Sequence, residues 1–146
     1  MIVIYTDGAC IKNPGGKGGW AWAVKPEGNS MPPKVFDAGS EEITTNNIME
    51  MTAVLEAIRY AKRANRNSPV ADRIVIYSDS RYCVDGFMSW MYKWRNRGWS
   101  KPGGLKNEAI WRELWDVKEG VTLKWVRGHN GNPMNEFVDA LAGQQC

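Results

Sequence analysis

Cysteine and histidine are scarce in this chain of 146 residues, which holds three of the former, Cys10, Cys83 and Cys146, and a single His129. Thiols that are odd in number, far apart and accompanied by one imidazole suit neither a disulfide framework nor a zinc site, and they indicate free thiols in a reducing compartment. Long hydrophobic runs are missing as well. No apolar stretch approaches the ~20 residues that span a bilayer, and the opening MIVIYTDG carries no basic leader of the secretory kind. A cytoplasmic protein without membrane association is expected. The charge excess is only +3, too small to single out nucleic acid as a partner from total charge alone. Repeats, low-complexity tracts and linkers are absent, so residues 1–146 are expected to form one domain. The glycine-rich Pro14 to Gly19 segment lacks the Ser or Thr that a phosphate loop needs after Gly-Lys, because Gly18 stands there, and it reads as a hairpin loop.

What is present has the makings of an ordinary globular core, with 43% hydrophobic and 24% charged residues. Ile2 to Tyr5 has the composition of a buried strand that stops at Asp7-Gly8. Trp20 to Lys25 and Lys34 to Ser40 read as two further strands around the polar Pro26 to Pro33 segment, forming an antiparallel meander. From Asn47 onward Met51, Val54, Leu55, Ile58 and Ala61 recur at helical intervals, and Thr45 or Asn46 can cap the helix. Arg73 to Ser78 is a continuous apolar run ending on Asp79. Helical pieces extend to about Glu119, broken at Gly98 and at Pro102-Gly103-Gly104, before a fifth strand at Val121 to Arg127. A last helix, Pro133 to Gly143, starts on a proline as helix beginnings favour. Alternating strands and helices place the later strands parallel to the first, in an α/β fold whose ligands bind beyond the carboxyl ends of the strands.

Asp7 and Asp79 each close an apolar strand in this reading. A single aspartate there is ordinarily a turn or cap residue, and two at equivalent positions strengthen a functional role. Glu50 falls in the first turn of its helix, where the helix dipole favours acids in any case. Asp139 lies beside the apolar Val138, Leu141 and Ala142, and solvation alone would account for it. Converging carboxylates repel one another unless a cation holds them, and oxygen-only ligands point to magnesium or manganese. His129 sits in a loop without apolar periodicity, where it is either solvated or suited to shuttle protons. Between Arg81 and Lys101, five basic residues face one acid, Asp85, and are interleaved with Trp90, Tyr92, Trp94 and Trp99. Such a segment is either core plus solvated helix face or a surface for phosphates and sugars, and the combination favours nucleic acid.

Taken together, Thr6-Asp7-Gly8-Ala9-Cys10 with Asn13-Pro14-Gly15, Thr44-Thr45-Asn46-Asn47-Ile48-Met49-Glu50, Ser78-Asp79-Ser80, Trp125-Val126-Arg127-Gly128-His129 and Asn135-Glu136 before Asp139 resemble type-one ribonuclease H. Each motif is short, but they follow in register across essentially the whole chain, and the basic tryptophan segment falls where bacterial members carry a basic protrusion. The resemblance implies a five-stranded mixed sheet of order 3-2-1-4-5 flanked by helices. It implies that Asp7, Glu50, Asp79 and Asp139 converge on two magnesium ions, with manganese able to substitute. One ion would activate water and the other stabilise the departing 3′ oxygen, leaving 5′-phosphate and 3′-hydroxyl ends on the cut RNA strand of an RNA/DNA hybrid.

By the same resemblance His129 assists proton transfer or product release. Cys10, Asn13, Asn46 and Asn47 touch the hybrid around its minor groove, where the 2′-hydroxyl distinguishes RNA from DNA. Thr45 belongs to a pocket for a DNA-strand phosphate, and Trp90 with Lys93, Arg95 and Arg97 seats that strand. Little sequence preference follows from contacts of this kind. Two departures add charge near the substrate: Lys12 stands where glycine is common, and Arg81 where glutamine commonly contacts the hybrid. A monomer with no obligate protein partner is expected, and no separate hybrid-binding domain to confer processivity. Two other functions compete: a DNA-cutting nuclease of the same superfamily, and a non-catalytic module that only binds hybrid.

Overall fold

The computed structural model describes residues 1–28 and 30–146, so that Asn29, within the polar Pro26 to Pro33 segment, lies outside the described residues. Five strands, β1 (Ile2–Cys10), β2 (Gly18–Val24), β3 (Phe36–Glu41), β4 (Ile74–Ser78) and β5 (Val121–Trp125), form one mixed sheet of order β3-β2-β1-β4-β5. The β1–β2 and β2–β3 pairs are antiparallel, while β1–β4 and β4–β5 are parallel. Helix α1 (Asn46–Arg66) connects β3 to β4. A helical run follows β4, made of α2 (Arg81–Asp85), a π-helical turn (Gly86–Trp90) and α3 (Met91–Asn96), and α4 (Glu108–Asp116) precedes β5. Helix α5 (Pro133–Gln144) ends the chain's regular structure.

The sheet separates two apolar layers. On one side α1 lays Met51, Val54, Leu55, Ile58 and Ala61, all buried, against Ile4, Ile74, Ile76 and Leu123. The helical run and α4 complete that layer around Trp111, which is fully buried and whose indole N–H donates to the Tyr82 hydroxyl at 3.2 Å. Gly86 allows this closeness, because a Cβ there would overlap the Trp111 ring. On the other side α5 packs Met134, Val138 and Ala142 on Tyr5, Ala21 and Ala23. Proline at the start of α5 and the Asn132 side chain, which accepts from the Met134 and Asn135 N–H groups, fix where it begins.

Two features differ from the sequence expectation. Strand β1 does not stop at Asp7-Gly8; it continues to Cys10 because β2 goes on pairing with it as far as Cys10↔Gly18. Its pairing with β4 does end early, at Tyr5↔Tyr77. Beyond Tyr5 the two central strands therefore separate, and Thr6 Oγ1 donates to the Tyr77 carbonyl, 3.0 Å away, at the edge of that opening. Second, α1 starts at Asn46, with the Thr45 hydroxyl accepting from Ile48 N–H at 3.1 Å, so Glu50 is its fifth residue and its first turn holds no acid. The helix dipole thus does not account for Glu50.

Candidate active site

The opening between β1 and β4 is where acidic side chains meet. Asp7 enters from β1, Asp79 from the residue after β4, and Glu50 from α1, and each offers an oxygen within 4.8 Å of the other two. Gly8 makes the approach of α1 possible: a Cβ at that position would overlap the Glu50 and Met49 backbone. The Gly8 N–H then donates to the Glu50 carboxylate and, at 2.9 Å, to Asp7 Oδ1. Backbone thus holds two of the three acids in place.

Their electrostatics follow from crowding in a dry place. Asp7 is 4% exposed and Glu50 7%. Burial, opposed in part by the bond with Glu50 and reinforced by the nearby Asp79 charge, pushes the Asp7 carboxyl up to about 8. Burial and the neighbouring Asp7 also raise Glu50 well above the ordinary carboxylate range. Asp7 and Glu50, held protonated by burial and crowding beside Asp79 and offering only oxygen donors, fit a hard divalent cation, whose charge would release their protons.

Asp139, the fourth acid, joins the cluster through Asp7. It is half-buried on α5, on the opposite side of the sheet from α1, and reaches Asp7 closely enough for a side-chain hydrogen bond that favours a protonated Asp7. Alternation along β1 explains this contact: Asp7 shares the α5 face with Tyr5, while Glu50 comes round the sheet at Gly8. His129 is exposed in the loop between β5 and α5, with a left-handed φ of 53°. That loop passes close to the triad, since a Cβ on the preceding Gly128 would lie 2.8 Å from Asp79 Oδ2.

The residues expected to touch a substrate fall into two groups. Cys10, Asn13, Thr45 and Asn46 form one continuous edge next to the triad. Thr45 caps α1, Asn13 Oδ1 accepts from Asn46 N–H at 3.1 Å, and the half-buried Cys10 thiol lies 3.1 Å from the Lys12 carbonyl and 3.7 Å from that of Thr44. Asn46 and Asn47 are exposed. On the far side of Asn47 lies a groove of about 460 Å³, lined by Asn47, Trp90, Lys93, Arg97, Lys101 and Lys106. Trp90 is 39% exposed there and packs edge-on against Tyr82. Arg95 is not part of the groove. Two residues from both Lys93 and Arg97 on a helix, it turns to the opposite face and stands 5.7 Å over the Trp115 ring. Arg81 stacks on Trp125, its guanidinium carbon 4.0 Å from the ring centroid.

Lys106 and Asn107 escape a reading by sequence windows, because a Gly-rich turn separates them from the basic segment that they rejoin in space. Asn107 donates to the Tyr82 hydroxyl at 3.1 Å, and its only sequence signal is its place just before an amphipathic helix.

Comparison with known proteins decides the lineage. The RNase H family matches residues 1–146. A ribonuclease H of Cupriavidus pinatubonensis is 44% identical over 149 residues, covering 98% of this chain and 93% of its own. The chain belongs to the ribonuclease H family. Among solved structures, LC9-RNase H1, a type 1 RNase H with the type 2 active-site motif, superposes with a TM-score of 0.78 at 35% identity over 99% of this chain and 73% of that one. The foamy viral protease-reverse transcriptase in complex with RNA/DNA hybrid shares the fold, with a TM-score of 0.77 at 20% identity over 99% of this chain and 20% of that one. Family membership makes the protein a nuclease of the ribonuclease H class that works with divalent metal, and the acidic cluster is compatible with metal binding. No helix among the described residues is long and apolar enough to cross a membrane.

Proposed function

We propose that this ribonuclease H, acting as one catalytic domain over residues 1–146 and as a cytoplasmic monomer, cuts the RNA strand of RNA/DNA hybrids with magnesium as its metal. The observation that carries this reading is the meeting of Asp7, Glu50 and Asp79 at the β1–β4 opening, with a basic aromatic groove bordered by Asn47, three residues before Glu50 on α1. Asp7, Glu50 and Asp79 would hold the metal, with Asp139 completing the set from α5. Two bound ions would supply an activated water and a counter-charge for the departing 3′ oxygen, leaving 5′-phosphate and 3′-hydroxyl ends.

The chain's own groups supply the rest. Gly8 N–H fixes the Glu50 and Asp7 oxygens so that little reorganisation is needed when charge builds up on the reacting phosphate. His129, exposed on a glycine-flanked loop near Asp79, is suited to carry a proton to or from solvent. Cys10, Asn13, Asn46 and Asn47 border the cluster where a minor groove carrying 2′-hydroxyls would lie, and Thr45 beside them serves a DNA-strand phosphate. Trp90, Lys93 and Arg97 seat the second strand in the groove, one face of the duplex thus spanning both sites.

The test is cleavage of hybrid, duplex RNA and duplex DNA of one sequence, each with magnesium and with chelator. Cleavage confined to the RNA strand of the hybrid and abolished by chelator is expected. Preferential cutting of duplex DNA would identify a DNA nuclease of the same superfamily, and metal-independent binding without cutting would identify a hybrid-binding module.

A further inference from the structure

Trp125 is the last residue of β5 and, at 39% exposure, one of the large hydrophobic side chains left open to solvent. Nothing in the metal-holding or groove-forming arrangements uses it. Its indole N–H nevertheless donates to the Asp79 backbone carbonyl at 3.2 Å, which fixes the ring beside the acidic cluster. Its face carries the guanidinium of Arg81 at 4.0 Å from the centroid. Arg81 itself is exposed and takes part in none of the ion pairs among the described residues, so its N–H edges stay free around the stacked plane.

A free arginine on a surface samples many rotamers and must give up that freedom to bind. Stacking on an aromatic face removes part of this cost in advance and leaves the planar fork of donors presented edge-on. Arg81 lies two residues beyond Asp79 and stacks on a ring bonded to the Asp79 carbonyl, so its exposed guanidinium is held close to the acids. A cation there also offsets the acids' repulsion of an approaching phosphodiester.

We propose that Trp125 is a substrate-positioning residue: anchored on the Asp79 carbonyl, its ring holds Arg81 ready for a backbone phosphate beside the carboxylate cluster. The proposal rests on the hybrid-nuclease reading for the identity of the nucleic acid, and it deepens that reading by assigning a residue that touches no substrate itself. It requires Arg81 and Trp125 to act as one unit.

The experiment measures binding of a fluorescent RNA/DNA hybrid by anisotropy across a salt series, without divalent metal, for Arg81→Gln, Trp125→Leu, Trp125→Phe and the Arg81→Gln/Trp125→Leu double variant. Arg81→Gln is expected to weaken binding roughly fivefold and to lower the slope of log affinity against log salt by about one, as one phosphate fewer is neutralised. Trp125→Leu should weaken binding by a similar factor, with no further loss in the double variant. Trp125→Phe, which keeps a ring face, should recover most of the affinity. Thermal melts accompany each variant, because a stack that only packs α2 on β5 would lower Tm and leave affinity and salt slope unchanged. An unchanged salt slope in Arg81→Gln, or additive losses in the double variant, would overturn the proposal. Wild-type protein that binds hybrid with this Arg81 dependence yet cuts none of it in magnesium would overturn the nuclease reading and leave the positioning role standing.

Discussion

The carboxylate cluster and the basic groove are built on opposite physical plans. The cluster is buried, rigid and electrostatically frustrated, with Asp7 and Glu50 held by a backbone N–H at a glycine that tolerates no side chain. The groove is exposed, made of long cationic side chains and a half-exposed Trp90, and contains no buried ionisable partner among its lining residues. One region stores repulsion that a cation can relieve; the other stores attraction that a polyanion can satisfy. Damage to the first should therefore appear in turnover and in pH-dependent stability, and damage to the second in affinity and salt dependence.

The largest effect that sharpens this contrast is expected from Asp79→Asn. It removes a charge meant for metal while leaving the groove intact, so cleavage should fall by at least about a thousandfold and hybrid affinity should change little. Magnesium-dependent turnover retained in that variant would merge the two regions' roles. His129→Ala comes next, with turnover slowed roughly 10- to 100-fold and affinity unaffected, as for loss of a proton carrier. Wild-type rates would leave His129 a solvated loop residue.

Gly8→Ala probes the rigidity of the cluster. The added methyl would overlap the Glu50 and Met49 backbone, so α1 must move, at a cost of about 3 kcal/mol. In a domain of this size that is roughly 6–12 °C in Tm, measured by thermal melting with chelator present. An unchanged Tm would show that α1 and β1 yield easily and that the cluster is not rigid.

A subtler prediction concerns pH. With its pKa raised to about 8, folded Asp7 keeps its proton over a range in which the unfolded chain, titrating near 3.8, has lost it. The native state binds more protons between those values, so this group's contribution to stability is full below about 4 and is lost as pH rises towards 8. Glu50 acts in the same direction. Metal-free protein should accordingly lose Tm across that window, Asp7→Asn should flatten the decline, and magnesium should reverse it at the alkaline end. A Tm profile indifferent to magnesium at pH 8 would argue that the acids do not share a cation.

Much of this arrangement is legible in the sequence, for physical reasons. The α1 stripe of Met51, Val54, Leu55, Ile58 and Ala61 is buried because helical periodicity leaves it no other way to face a sheet. Arg73 to Ser78 announces a central strand because only a strand covered on both faces tolerates so continuous an apolar run. The motifs place Asp7, Glu50 and Asp79 in one family pattern, but not the manner of their meeting. That manner depends on where β4 stops pairing with β1, and pairing limits are tertiary facts that no local window contains. Asp139 meets Asp7 because both lie on the α5 side of β1, whereas Glu50 arrives from α1 on the other side. Lys106, too, returns to the groove only through the path of an intervening loop.

The smallest predicted effect tests the groove's anatomy against the sequence's grouping of its basic residues. Lys93, Arg95 and Arg97 read as one basic cluster along the chain, yet helix geometry puts Lys93 and Arg97 on one face and Arg95 across from them, over Trp115. Replacing Lys93 and Arg97 together with alanine should raise the Michaelis constant and reduce the salt slope by about two, one for each phosphate left without its cation. Arg95→Ala removes the same charge from the same helix and should change the slope by only a few tenths, through the long-range field that salt already screens. Its cost should instead be a small loss of Tm from the lost Arg95 contact with Trp115, about 0.5–1 kcal/mol for an exposed cation–π pair, with Lys118 still over the ring at 4.6 Å. Equal slopes for the Lys93, Arg95 and Arg97 single variants would mean that the segment attracts nucleic acid as a diffuse charge, with no seat for a strand.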